Sequence, residues 1–141
     1  ATHVSRVAKD YAPFGYSIKA DTSTLLPATV AADSSYGVGY WDDVDVYIER
    51  VSLVAASGLA DGTNHFDVRI GYADNDGVLG NPVIISSTVN TAAMVNNKFN
   101  DIGITAPVVP AGKILFAQFF NEANSGSVVA PYVNTRYRRQ A

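Results

Sequence analysis

The chain has 141 residues, of which 48% are hydrophobic and 16% charged, and it contains no cysteine. This size and composition indicate one globular domain with a hydrophobic core, spanning residues 1–141, and they exclude a disordered or coiled-coil segment. The net charge of −3 at pH 7 argues against a domain that binds nucleic acid directly. No apolar run approaches the roughly 20 residues that cross a bilayer, so no membrane association is expected.

The residue types favour an all-β fold. Valine occurs 18 times and leucine six times, and the chain has two glutamates, so strand-forming residues are abundant and strong helix formers are scarce. Glycine, asparagine and proline recur at short intervals, as the turns of antiparallel sheets require. We predict a single-domain antiparallel β-sandwich, similar to a jelly roll, with about eight strands.

Two strands are predicted near the beginning of the chain. Residues 16–20 alternate between polar and apolar side chains and precede a predicted turn at 21–24. Residues 25–32 form a second apolar stretch. Because Pro27 cannot donate a backbone hydrogen bond, this stretch is assigned to a sheet edge.

The longest predicted strand covers residues 44–56. Its alternation places one apolar set on the inner face until Arg50 interrupts the pattern. A bulge near Arg50 would allow Val51 and Leu53 to turn inward, as is common where a long strand passes from one sheet to the other.

The second half of the chain contains the clearest hairpin. A turn at 74–77 joins an alternating strand to a strand at 83–89, and residues 91–97 can form a short helical turn capped by Asn90 or Thr91. The inward set of the first hairpin strand is Phe66, Val68, Ile70 and Tyr72. The remaining predicted strands are 99–105, 113–121 and 128–136.

No motif identifies a metal or cofactor site, and neither is expected. His65 and Asp67 lie on one strand face without a third ligand nearby, so we interpret them as structural. The turn containing Asp74 and Asp76 lacks the spacing of an EF-hand loop. Adventitious binding of a calcium ion by these two aspartates is kept as an alternative.

No motif identifies an enzyme either, and we predict that the protein has no enzymatic activity and no catalytic residues. The phosphate-binding loop and the nucleophile elbow of serine hydrolases are both absent. Glu49 and Glu122 are the pair to consider for glycoside hydrolysis, which requires two carboxyl groups close together in one cleft.

A glycine-spaced aromatic loop precedes the longest strand and contains Tyr36, Tyr40 and Trp41. Exposed aromatic side chains of this kind contact protein partners or stack on sugar rings. The three residues are therefore a candidate interface or ligand platform. The alternative is that Trp41 closes one end of the core and the tyrosines pack on it.

Basic residues are concentrated at the two ends of the chain. Residues 1–9 and 132–141 contain five of the ten basic side chains and no acidic one. We therefore predict basic arms at about 1–15 and 132–141 that bind an acidic partner surface. The candidate contact residues are Arg6, Lys9, Arg136, Tyr137, Arg138 and Arg139.

The strand pattern resembles the jelly-roll cement, or decoration, proteins of tailed bacteriophage capsids. The resemblance extends over the whole chain and is carried by residues 109–114 (Val-Pro-Ala-Gly-Lys-Ile) and 130–137 (Ala-Pro-Tyr-Val-Asn-Thr-Arg-Tyr). It implies a non-enzymatic virion protein that is made in the host cytoplasm and binds the outside of an icosahedral shell. Such a protein stabilises the shell by bridging neighbouring capsid subunits.

The same resemblance implies two partners. These are the major capsid protein and a second copy of the chain, as a homodimer in preference to a trimer. The alternative function is a carbohydrate- or receptor-binding β-sandwich, such as a lectin-like module or tail-fibre head, which would use Tyr36, Tyr40 and Trp41 as its platform.

Overall fold

A computed structural model describes residues 15–60, 65–122 and 126–140. In these ranges the chain is folded mainly into antiparallel strands, and a 3₁₀ turn at Thr91–Ala93 is capped by the Asn90 side chain. None of the described residues belongs to a helix that could span a membrane. The strands are β1 (Ala20–Leu25), β2 (Thr29–Val30), β3 (Ser34–Tyr40), β4 (Val46–Val54), β5 (Phe66–Asp74), β6 (Val83–Ile84), β7 (Val89–Asn90), β8 (Asn100–Ile102), β9 (Val108–Val109), β10 (Lys113–Asn121), β11 (Val128–Val129) and β12 (Tyr132–Arg139).

Two sheets form the sandwich. Sheet I has the order β1-β12-β4, with β8 and β9 end to end along β4, and sheet II has the order β3-β10-β5, with β6 and β7 end to end along β5. If β2 and β11 are left out and each end-to-end pair is counted as one strand, the chain has eight main strands. Renumbered from one to eight in chain order, they are arranged as 1-8-3-6 in sheet I and as 2-7-4-5 in sheet II. These are the strand orders of a jelly roll. The predicted all-β sandwich is therefore confirmed.

The hydrophobic core lies between the two sheets. The predicted inward set of β5 is confirmed, since Phe66, Val68 and Ile70 are fully buried and Tyr72 packs against the core. The ring of Phe66 meets that of Phe119 edge to face, with centroids 6.4 Å apart. Each large apolar side chain buried in this way stabilises the fold by roughly 1.5–3 kcal/mol.

The predicted bulge near Arg50 is also confirmed. Along β12, Arg136 is opposite Arg50 and Tyr137 is opposite Ile48, which leaves Glu49 as the extra residue of β4. Beyond it Val51 and Leu53 are buried. The bulge places Glu49 and Arg50 next to each other outside the core.

The predictions for the first 32 residues are only partly correct. The predicted strand 16–20 is wrong, because Tyr16 forms one isolated bridge and β1 begins at Ala20. The segment 21–24 is not a turn, because it lies within β1, which pairs with β12 from Ala20 to Leu25. Of the predicted strand 25–32, Thr29–Val30 forms a short ladder with β11. The polar residues of β1 resemble a turn in sequence because an exposed edge strand needs few apolar side chains.

The predicted C-terminal arm at 132–141 is wrong as well. Residues 132–139 form β12, which lies inside sheet I between β1 and β4. This segment forms a strand because its side chains alternate between the two faces of the sheet, with Val133 and Thr135 buried in the core. The predicted N-terminal arm, with Arg6 and Lys9, lies outside the described residues apart from Gly15.

Both sides of the sandwich are closed by contacts between the two sheets. On one side the Thr24 hydroxyl donates to the carbonyl of Val38 at 3.3 Å. On the other side Thr105 N–H donates to the carbonyl of Ile85 at 2.8 Å, and Ser86 forms a bridge with Ile104. These contacts join the edge strands of the two sheets, while β1 itself remains largely exposed.

Candidate functional site: the two outer faces

The acidic side chains considered for calcium already have partners. The Asp74 carboxylate accepts a hydrogen bond from the Lys113 ammonium, and Asp76 Oδ1 accepts from the backbone N–H of Val78 at 2.9 Å. Within the described ranges, no group of three or more histidine, aspartate or glutamate side chains is arranged to hold a metal ion. The Asp74–Asp76 turn is therefore a stabilised reversal.

The two glutamates do not form a glycosidase pair. Glu49 belongs to β4 of sheet I and accepts a hydrogen bond from Arg138, whereas Glu122 follows β10 of sheet II and contacts Asp67. Glycoside hydrolysis needs its two carboxyl groups on either side of one bond. Because each glutamate has a separate environment on a different sheet, the glycosidase interpretation is wrong.

Glu122 lies in an acidic environment at the end of β10. Asp67 raises the pKa of Glu122 above its ordinary value of 4.5, first by charge repulsion and then through a side-chain hydrogen bond, and desolvation and Asp33 act in the same direction. A hydrogen bond between two carboxyl groups requires one proton between them. The pair is therefore stable when protonated and repulsive when both groups are charged.

The variant Glu122→Gln is expected to raise the melting temperature at pH 7 and to reduce its dependence on pH. A raised folded-state pKa means that the charged form opposes folding, so the wild type gains stability as the pH falls through that pKa. Glutamine keeps a donor for Asp67 without the charge. The measurement is thermal unfolding at pH 7 and pH 5.

Glu49→Gln is the matched control, because it removes the same charge from an ion pair with Arg138. This control should melt at a lower temperature than the wild type at pH 7. If Glu122→Gln is also destabilised at pH 7, the repulsive pair is not present.

The aromatic loop does not form one exposed platform. Trp41 is only 8% exposed, and its ring packs against Tyr137 with centroids 4.8 Å apart. The ring also covers Gly39, where a Cβ atom would come within 2.5 Å of it. Trp41 therefore closes one end of the core, as in the alternative interpretation of the loop.

The two tyrosines of the loop lie on different sides of β3. The Tyr36 ring packs edge to face on Phe119 in the core, with centroids 5.9 Å apart. Tyr40 is 48% exposed, and its hydroxyl accepts a hydrogen bond from the Asn75 side chain at 3.3 Å. Of the three aromatic residues, Tyr40 is the one on the surface.

The C-terminal arginines are paired with carboxylates of sheet I and the loop before β4. Arg136 binds Asp21 through two hydrogen bonds of 3.0 and 3.3 Å. This pairing raises the pKa of Arg136 and lowers the pKa of Asp21. Arg138 forms an ion pair with Glu49, and Arg139 forms one with Asp43.

A further ion pair lies on the outer face of sheet I. Arg50 Nε is 3.9 Å from Asp101 Oδ1, and the buried hydroxyl of Ser52 donates to the same oxygen at 2.7 Å. Cations and carboxylates therefore neutralise each other across four adjacent strands. This face attracts a charged partner less than the composition of 132–141 alone indicates.

An apolar row, here called patch I, crosses one end of this face. Leu25, Tyr132 and Val54 are directly opposite one another on β1, β12 and β4. Phe99 precedes β8 and meets the Tyr132 ring edge to face at 6.4 Å. Leu25 is 83% exposed and Phe99 is 52% exposed. Patch I consists of Leu25, Val54, Phe99 and Tyr132.

A second apolar surface, here called patch II, lies on sheet II and on the loop from β5 to β6. Val78 in this loop is 67% exposed and separates two grooves. The more apolar of the two grooves, with a volume of about 300 Å³, is lined by Leu79, Ile114, Phe116 and other residues. Patch II consists of Tyr40, Val78, Ile114 and Phe116, because Tyr40, Ile114 and Phe116 share the outer face of sheet II and Val78 lines the same groove.

Neither patch was predicted from the sequence. The members of patch I are separated by up to 107 positions in the chain, and the register of β1, β12 and β4 brings them into one row. The available signal was local: Leu25 follows the polar segment 21–24, and Phe99 lies within the polar segment 96–101.

No family model matches the sequence, and no curated protein matches it. Among solved structures, one with a similar fold is a chain of the acidic stable capsid structure of Helicobacter pylori bacteriophage KHP30. The two have 19% identity and a TM-score of 0.51, over 88% of this chain and 95% of that chain. Another is a chain of the capsid asymmetric unit of cyanophage Pam1, with 12% identity and a TM-score of 0.52, over 90% of this chain and 88% of that chain. At these identities the likeness concerns the fold.

Proposed function

We propose that the chain is a non-enzymatic structural protein of a bacteriophage virion. In this role it binds the outside of an icosahedral capsid, with the major capsid protein as its partner, and stabilises the shell by bridging neighbouring subunits. The observation that carries the proposal is the likeness to two chains from phage capsid structures over most of the length of each. The resemblance of residues 109–114 and 130–137 to cement proteins supports the same class.

The distribution of apolar surface supports a bridging role. A protein that bridges two subunits needs at least two contact surfaces that point in different directions. Patch I lies on the outer face of sheet I, and patch II lies on sheet II, so one rigid sandwich separates them. Exposed apolar patches of this kind are typical of protein interaction sites.

The charges support a position on the outside of the shell. Packaged DNA repels an acidic protein, and the chain has a net charge of −3. Within sheet II the hairpin contains Asp67, Asp74 and Asp76 with Arg69, and the neighbouring strand β10 contributes Lys113. A surface of this sign fits the exterior better than the DNA-facing side.

The basic residues predicted for docking have a smaller role in this proposal. To bind the capsid, each of the three C-terminal arginines would have to leave its carboxylate partner in this chain for one on the capsid. At an exposed site this exchange of ion pairs contributes little net binding free energy. The three residues are Arg136, Arg138 and Arg139. Arg6 and Lys9 of the segment 1–15 remain candidates for contact with an acidic capsid surface.

The proposal can be tested by sedimentation of a lysate of cells infected with the phage that encodes the chain. An antibody to the chain is expected to detect it in virus-sized particles together with the major capsid protein. Particles stripped of the chain should release DNA at a lower temperature, and adding the purified chain back should restore the original value. If the chain sediments only as a free protein, the proposed function is wrong.

A further inference from the structure

The two apolar patches differ in shape. Patch I projects from the surface, since Leu25 and Phe99 are exposed by 83% and 52%. Patch II borders an apolar groove of about 300 Å³, which is larger than a leucine side chain. A projecting apolar side chain and an apolar groove on the same molecule can pair between two copies.

The charges beside the patches also differ in sign. Lys98 precedes Phe99, is exposed, and has no ion pair within the described part of the chain. The groove of patch II is lined by Asp74. Asp76 lies in the same turn, and Lys113 is the cation beside them, so this border carries a net negative charge. Patch I thus has a basic border and patch II an acidic one.

We propose that patch I of one copy docks on patch II of a second copy. Leu25 and Phe99 then cover the groove beside Val78, and Lys98 approaches Asp76. Contacts between identical patches are disfavoured, because patch I on patch I brings together two lysines and patch II on patch II brings together two acidic grooves. The contact is heterologous, so it differs from the two-fold homodimer predicted from the resemblance.

A heterologous contact leaves one free patch at each end of a pair. Further copies can therefore add until a ring closes or a linear array forms.

Analytical ultracentrifugation of the full chain without capsid shells tests the proposal. The wild type should have a weight-average mass that rises with concentration above the chain mass of 15.0 kDa. Leu25→Asp and Val78→Asp should each remain at the mass of one chain. An equimolar mixture should form a pair of twice that mass and nothing larger, because one variant keeps patch II and the other keeps patch I.

Ile18→Asp is the matched control, because Ile18 is an exposed aliphatic residue outside both patches. It should associate as the wild type does, and thermal unfolding should show that all three variants fold. A monomeric wild type would overturn the proposal, as would self-association of Val78→Asp alone or a mixture that remains monomeric. Since no shells are present, failure here does not bear on capsid attachment, and failure to find the chain in particles does not bear on self-association.

Discussion

Deleting residues 135–141 is expected to unfold the protein. The deletion removes half of β12, which pairs with β1 on one side and β4 on the other. It also removes buried Thr135, the Tyr137 ring that packs on Trp41, and the Arg138 partner of Glu49. A domain of this size has about 5–15 kcal/mol of net stability, and the loss of half an interior strand exceeds that margin. Circular dichroism and thermal unfolding should show no cooperative transition.

Deletion of Ala141 alone is the control, since all residues of β12 remain. This variant should unfold at the temperature of the wild type. A chain that ends at Asn134 and still unfolds cooperatively near the wild-type temperature would contradict the placement of β12. Such a result would instead favour a basic C-terminal arm that binds a partner and is not needed for folding.

Trp41→Ala is expected to lower the free energy of unfolding by about 3–5 kcal/mol, the usual cost of removing a large buried aromatic side chain. The ring is nearly inaccessible to water, contacts Tyr137 and covers Gly39. Its loss leaves a cavity at the end of the core that the backbone of β3 cannot fill. Denaturant unfolding monitored by circular dichroism measures this difference.

Tyr40→Ala is the neighbouring control. Tyr40 is about half exposed and makes one side-chain hydrogen bond, so the expected loss is on the order of 1 kcal/mol. A stability of Trp41→Ala equal to that of the wild type, with loss of binding on a glycan array, would contradict the core position of Trp41. That result would favour a sugar-binding module.

The elements that could be predicted from the sequence are those in which a local pattern determines the fold. Phe66, Val68 and Ile70 alternate without interruption, and the strand they predict is β5. The break at Arg50 predicts a bulge because a buried arginine would be costly there. In contrast, β1 is a polar edge strand whose pairing depends on β12, more than a hundred positions later.

The charge and the apolar patches of the surface could not be predicted, because they depend on contacts between strands that are distant in the sequence. Arg136 is neutralised by Asp21, 115 positions away, and Arg138 by Glu49, 89 positions away. Composition showed that the end of the chain is basic, but it could not show that other strands carry the matching acids. The apolar rows depend on register between distant strands in the same way.

Cryo-electron microscopy of the phage particles that contain the chain tests its proposed role most directly. We expect density for the jelly-roll sandwich on the outer surface of the shell, in contact with at least two neighbouring copies of the major capsid protein. Residues of patch I or patch II should lie in those contacts or between copies of the chain. Particles with no such density, or with the sandwich on the DNA side of the shell, would contradict the account.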